Sequence, residues 1–186
     1  MLLSREEAFS LLKQYIKNER MIAHSLASEA VMRALAVKLG RNAELWGQAG
    51  LLHDLDVELT HADATQHGLE TARVLTEMGL DANMVDAIRM HNEMATGLSR
   101  TTEFQHALSA GETITGLVTA TAMVYPDKKV ASVKPKSVVK RMKEKAFAAS
   151  VNRESILECE KIGIPLDEFA ALAVGAMAEI ADEIGL

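Results

Sequence analysis

Ala49-Gly50-Leu51-Leu52-His53-Asp54-Leu55-Asp56 is the stretch on which the reading of this chain turns. Leu45, Ala49 and Leu52 recur at helical spacing before it, so the spacing predicts a helix from Asn42 to about Asp54. That helix ends on a histidine and an aspartate, directly after an apolar run. A carboxylate so placed carries a desolvation cost unless something positive neutralises it, and a metal ion would do so.

Outward from this segment the pattern stays helical. Upstream, Ser4-Arg5-Glu6-Glu7 forms a capping box before Phe9, Leu12 and Ile16. Ile22, Leu26, Ala30, Ala34 and Leu35 then mark a second helix that Gly40 stops. Downstream, helices are expected at about 66–78, 82–92, 103–124, 135–147, 152–162 and 166–184, and no run alternates as a strand would. All three prolines lie beyond residue 125, which leaves a long stretch of high helix propensity before them. The fold class expected is all-α. It is read as one domain over 1–186, with a core at about 20–125 and a packed C-terminal helical extension at about 126–186.

Composition removes several classes of function. With 48% hydrophobic and 25% charged residues among 186, the composition argues against disorder and allows a sizeable core. No apolar run approaches the ~20 residues of a membrane span, and the N-terminus lacks a cleavage pattern. The single cysteine, Cys159, cannot form an internal disulfide; it reads as a buried thiol, and a cytoplasmic location is expected. The net charge of −6 argues against a dedicated nucleic-acid binder. Charge is uneven, however: Lys128–Lys145 is dense in lysine and arginine, with Glu144 its one acid. Lys136, Lys140 and Lys143 share a helix face, which either borders the active pocket and steers an anionic substrate or is merely solvated. No GxSxG, Walker A loop or dinucleotide fingerprint is present.

The six histidines are the most informative feature of the sequence. His24 sits among apolar residues of the second helix, His53 precedes Asp54, and His67 and His91 fall near helix termini where side chains can converge. Imidazole with carboxylate suits Mn, Fe, Co, Ni or Zn, whereas magnesium prefers all-oxygen sites. His61 and His106 read as structural or solvated, and the ten methionines as flexible core filler.

The order His24, His53-Asp54, His67, His91 and then an acidic residue resembles the HD-domain superfamily of metal-dependent phosphohydrolases, in its small HDIG-like subgroup. Gly50-Leu51-Leu52-His53-Asp54-Leu55-Asp56 is similar to the signature that names the family, and His24-Ser25-Leu26-Ala27 to the stretch supplying its first histidine. The segment through Val151-Asn152-Arg153 looks like the tail of small bacterial and archaeal members. The resemblance covers about residues 20–125. It implies an HD-type helical bundle holding one or two divalent transition-metal ions between helices. His24, His53, Asp54 and Glu112 would hold the first ion. If Asp54 bridges, His67 and His91 would join a second; with one ion they would bind phosphate or move protons. Asp54, His67 and His91 are thus the expected catalytic residues.

Three departures from the family pattern stand out. Ser109-Ala110-Gly111-Glu112-Thr113 has Glu112 where an aspartate is usual, with Gly111 leaving room for adjustment. His91-Asn92 replaces a histidine pair, removing one potential ligand. Asp56 and Glu58 add carboxylates after His53-Asp54, either as supports to the site or as exposed groups, with exposure favoured for Glu58. The reaction expected is hydrolysis of a phosphate ester of a nucleotide or other small phosphorylated metabolite, by a phosphomonoesterase or phosphodiesterase. The alternatives are a non-catalytic metal- or metabolite-binding module and a di-iron oxygenase.

Overall fold

The computed structural model describes all 186 residues and contains helices and no strand. The α-helices are α1 (Arg5–Tyr15), α2 (Glu19–Leu39), α3 (Ala43–Leu52), α4 (Leu69–Glu77), α5 (Ala82–Met90) and α6 (Glu93–Thr96). They continue with α7 (Glu103–Met123), α8 (Pro135–Arg141), α9 (Arg153–Leu157), α10 (Leu166–Glu179) and α11 (Ala181–Ile184). Short 3-10 turns lie at Val130–Ser132 and Glu158–Ile162.

Local chemistry sets the helix starts. The capping box at Ser4 and Glu7 forms as expected, and a second joins Thr102 to Gln105 at the head of α7. Asn18, Asn42, Asp81 and Asn152 each accept from two backbone N–H groups at the starts of α2, α3, α5 and α9. Gly40 ends α2 in the left-handed conformation.

Helix α2 lies against α3 on one side and α7 on another. The approach to α3 is allowed by Gly50: a Cβ there would stand 2.5 Å from the Ser28 carbonyl oxygen and 2.9 Å from the Glu29 nitrogen. Gly111 has the same function toward α7, since its Cβ would meet Met32 Sδ at 2.7 Å. The expectation that Gly111 leaves room for adjustment is therefore corrected; the space beside it is filled. Leu12, Val31, Met32, Leu35, Leu51, Leu52, Met84, Ile88, Leu108 and Leu117 form the centre of the core. Phe169, Ala173 and Met177 of α10 and Ile156 and Cys159 belong to the same contiguous cluster.

Three helices depart from the expected spans, and the one expected at 152–162 is α only to Leu157, with a 3-10 turn over Glu158–Ile162. The one expected at 135–147 ends at Arg141, because the Arg153 guanidinium donates to the carbonyls of Arg141, Glu144, Phe147, Ala148 and Val151 and holds that chain in turns. The one expected at 166–184 breaks at Ile180 into α10 and α11. No helix is long and apolar enough to cross a membrane.

Candidate metal centre

Five elements deliver the side chains. His24 stands in the second turn of α2, His53 and Asp54 follow α3, and His67 lies in the turn before α4. His91 closes α5, and Glu112 lies midway along α7. The fold brings all six sequence-predicted residues to one place. Two triplets have potential ligand atoms lying within 4.8 Å of one another: His24, His53 and Glu112, and Asp54, His67 and His91.

The orientation of each histidine follows from what its Nδ1 meets. His53 Nδ1 lies 2.8 Å from the Gly50 carbonyl and His91 Nδ1 2.6 Å from the Ile88 carbonyl. A carbonyl only accepts, so both Nδ1 atoms carry the proton, and both rings cap a carbonyl at the end of their helix. His67 Nδ1–H donates to Asp56 Oδ1 at 2.7 Å. His24 Nδ1 lies 3.0 Å from Thr115 Oγ1, whose own proton goes to the Glu112 carbonyl at 2.6 Å. His24 is therefore the donor in that pair as well.

All four Nε2 atoms are left to face inward. His24 Nε2 is 3.2 Å from His53 Nε2, and His67 Nε2 is 3.1 Å from His91 Nε2. Asp54 lies among them, its Oδ1 at 3.2 Å from His53, 3.0 Å from His67 and 3.5 Å from His91, and its Oδ2 at 3.5 Å from His24. Glu112 Oε2 stands 3.8 Å from His24 Nε2. Imidazoles bound to one cation at about 2.0–2.1 Å place their nitrogens about 3.0–3.4 Å apart, depending on coordination geometry. Both pairs have that separation, so the residues present fit a transition-metal ion.

The electrostatics agree. Burial favours a neutral Asp54, but His53, His67 and His91 outweigh it and hold the carboxyl well below its ordinary range. Burial disfavours a charged His67, yet Asp54 and Asp56 on its two sides raise it to about 10. Burial lowers His24, whereas at His53 the same penalty is overcome by Asp54. Without a metal, the carboxylates on both sides of His67 favour its protonated form.

Support for these rings comes from residues beyond the expected set. Asp56 is buried, and its Oδ2 also accepts from the Gly68 and Thr71 N–H groups, so of its two readings the supporting one holds. Gly68, at φ 91°, lets the His67 turn pass close to His91; a Cβ there would stand 3.2 Å from His91 Cε1. Asn92, read from sequence as a lost ligand, donates to the carbonyls of Ala64 and His67 and ties that turn to the end of α5. Arg100 donates to the Met90 and His91 carbonyls and pairs with Glu158, which His106 also meets at 2.7 Å. Thr115 had a signal in sequence, three residues after Glu112 on the same helix face. Glu158, 58 residues beyond Arg100, lies too far along the chain for any such signal.

Of the remaining expectations, those for Glu58 and for a basic face bordering the pocket are corrected, and those for His61 and Cys159 hold. Glu58 is not simply exposed: its carboxylate accepts from the Lys17 and Asn18 N–H groups before α2. The cavity at the histidines, about 360 Å³, is lined by His24, Asp54, His67, His91, Asn92, Glu112, Thr113, Gly116, Ser150, Val151, Asn152 and Ser155. None of Lys136, Lys140 and Lys143 lines it, so the basic face does not border the pocket. His61 is exposed, and Cys159 is buried with its thiol pushed up to about 12 by burial.

The family model for the HD domain matches residues 21–124. The chain belongs to the HD-domain family. Proteins of this family are in general metal-dependent phosphohydrolases. The matched HD-domain region supplies all six convergent residues, while Ser150, Val151, Asn152 and Ser155 of the cavity come from beyond it. No curated protein and no solved structure matches the chain at a significant level.

Proposed function

We propose that the protein hydrolyses a phosphate ester of a small metabolite, using one or two divalent transition-metal ions held at the histidine cluster. The observation that carries this reading is the set of four Nε2 atoms, each freed by an anchored Nδ1 and all aimed at Asp54. Unprotonated Nε2 atoms 3.1–3.2 Å apart repel one another, and a metal ion taking the place of the His67 proton would relieve that repulsion at both pairs.

His24, His53 and Glu112 would hold one ion, His67 and His91 the other, and the Asp54 carboxylate would serve both. Divalent ions supply Lewis acidity toward phosphate oxygens and acidify water enough for attack near neutral pH. The protein's own share is orientation. Gly50, Ile88, Asp56 and Thr115 fix the four rings, and Asp56 makes His67 a more basic donor. With a single ion in the first triplet, His67, between Asp54 and Asp56, would carry a proton beside the substrate.

The competing reading of a non-catalytic module rests on the exchange of aspartate for Glu112. Glu112 nevertheless faces His24, its longer side chain reaching back to the same cluster, which favours retention of a working site. The test is a screen of phosphomonoesters and phosphodiesters with Mn, Co, Ni, Zn and Mg, run beside the His53→Ala/Asp54→Ala variant. Metal-dependent release of phosphate or alcohol by the wild type alone is expected. Oxygen consumption by the iron-loaded protein, without phosphoester hydrolysis, would overturn the reading in favour of an oxygenase.

A further inference from the structure

Part of the cavity wall is built by the C-terminal segment. Ser150, Val151, Asn152 and Ser155 line it, and Arg153 holds the turns that present them through its five carbonyl contacts. Val151 seats that wall on α7: a Cβ on Gly116 would lie 3.2 Å from Val151 Cγ2.

The chemistry of the lining is narrow. Apart from the metal-site residues it offers hydroxyls and amides, a single apolar side chain, Val151, and neither lysine nor arginine. Asn152 uses its carbonyl oxygen on the Glu154 and Ser155 N–H groups, which leaves its NH2 as a donor. Asn92 uses its NH2 on Ala64 and His67, which leaves its oxygen as an acceptor. A nucleobase would find Val151 as the one apolar side chain and no Phe, Tyr or Trp ring to lie on. A second or third phosphate would find no cationic side chain. At about 360 Å³ the cavity is at the small end of the ~300–1,000 Å³ range of ligand pockets.

We infer that the substrate is a small polyhydroxylated phosphate monoester, of the sugar- or polyol-phosphate class, whose hydroxyls are read by Ser150, Asn152 and Ser155. This rests on the phosphohydrolase reading. Water adds to phosphorus, the ester P–O bond breaks with its electron pair passing to the sugar oxygen, and that oxygen takes up a proton. Inorganic phosphate and the free polyol are the products.

The test compares ribose 5-phosphate, sn-glycerol 3-phosphate, AMP and p-nitrophenyl phosphate on the metal-loaded protein and on Ser150→Ala/Ser155→Ala. Ribose 5-phosphate or glycerol phosphate should exceed AMP in kcat/KM by about tenfold or more. Two lost hydroxyl contacts should lower that value by about 10- to 30-fold in the double variant, with p-nitrophenyl phosphate changed less than about twofold. Calorimetric binding of the methylene-phosphonate analogue of ribose 5-phosphate should weaken in parallel. Preference for AMP, or an equal loss on every substrate, would overturn the inference and leave phosphohydrolase activity standing. If metal binds but no ester is cleaved, the phosphohydrolase reading fails. The phosphonate titration then decides recognition by itself: serine-dependent binding supports it, and no binding overturns it.

Discussion

Replacing Gly50 by alanine probes the link between helix packing and the metal centre. The new Cβ would stand 2.5 Å from the Ser28 carbonyl oxygen, 2.7 Å from its carbon and 2.9 Å from the Glu29 nitrogen. An unstrained contact is about 3.5 Å, and backbone atoms cannot swing aside, so α2 and α3 must part by about 1 Å. Overpacking of this kind costs about 1–3 kcal/mol, here at the upper end, while alanine regains about 1 kcal/mol of helix propensity. The net loss of about 2 kcal/mol corresponds to about 4–8 °C in Tm for a chain of this length. His24 and His53 lie on the two helices that separate, at present 3.2 Å apart at Nε2. Coordination distances tolerate about 0.2 Å, so metal affinity should fall about tenfold or more. Gly175, with nothing within 4 Å of its Cβ position, is the control: alanine there should raise Tm by about 2–4 °C and leave metal affinity alone. Thermal unfolding of the metal-free proteins and calorimetric metal titration read both effects. A Gly50→Ala variant as stable as wild type would refute the reasoning.

Glu112→Gln should weaken metal binding, because a neutral amide is the poorer ligand, whereas Glu112→Asp should retain it; unchanged affinity in the glutamine variant removes Glu112 from the site. Asp56→Asn should bring His67 down from about 10 toward its ordinary value, seen by NMR titration of the metal-free protein, and should cost about 10- to 100-fold in metal affinity. Burial opposes the charge on Glu158, but Arg100 and His106 hold its carboxyl below the ordinary value. Its stabilising contribution is therefore complete above the unfolded carboxyl's pKa and is lost as pH falls through the folded one. Glu158→Gln should then cost about 3 kcal/mol at pH 7, with the difference from wild type shrinking below about pH 4 in denaturant titrations.

Much of this arrangement was legible because it is local. The span expected for the long helix at 103–124 lies within one residue of α7, since Thr102 and Gln105 cap it and apolar spacing runs its length. The convergence of His24, His53, Asp54, His67, His91 and Glu112 could be expected from residue type and order. What could not be read depends on partners distant in sequence. Arg153 takes residues 142–147 out of the helix that local propensity favours, and Arg100 reaches 58 residues along the chain to Glu158. The roles of Asn92 and Asp56 depend on the His67 turn, which folds against both. The choice between the two readings of the basic face on α8 stayed open for the same reason, as charge spacing says nothing of which cavity a helix faces.

If the inward Nε2 atoms and Asp54 hold metal, the protein should bind it in stoichiometric amounts. Elemental analysis after loading with manganese, cobalt or nickel and desalting tests it most directly. Wild type should retain about one to two ions per chain, and His53→Ala/Asp54→Ala should retain none above background while keeping its helical circular dichroism. Equal retention by the folded double variant, or none by wild type, would contradict it.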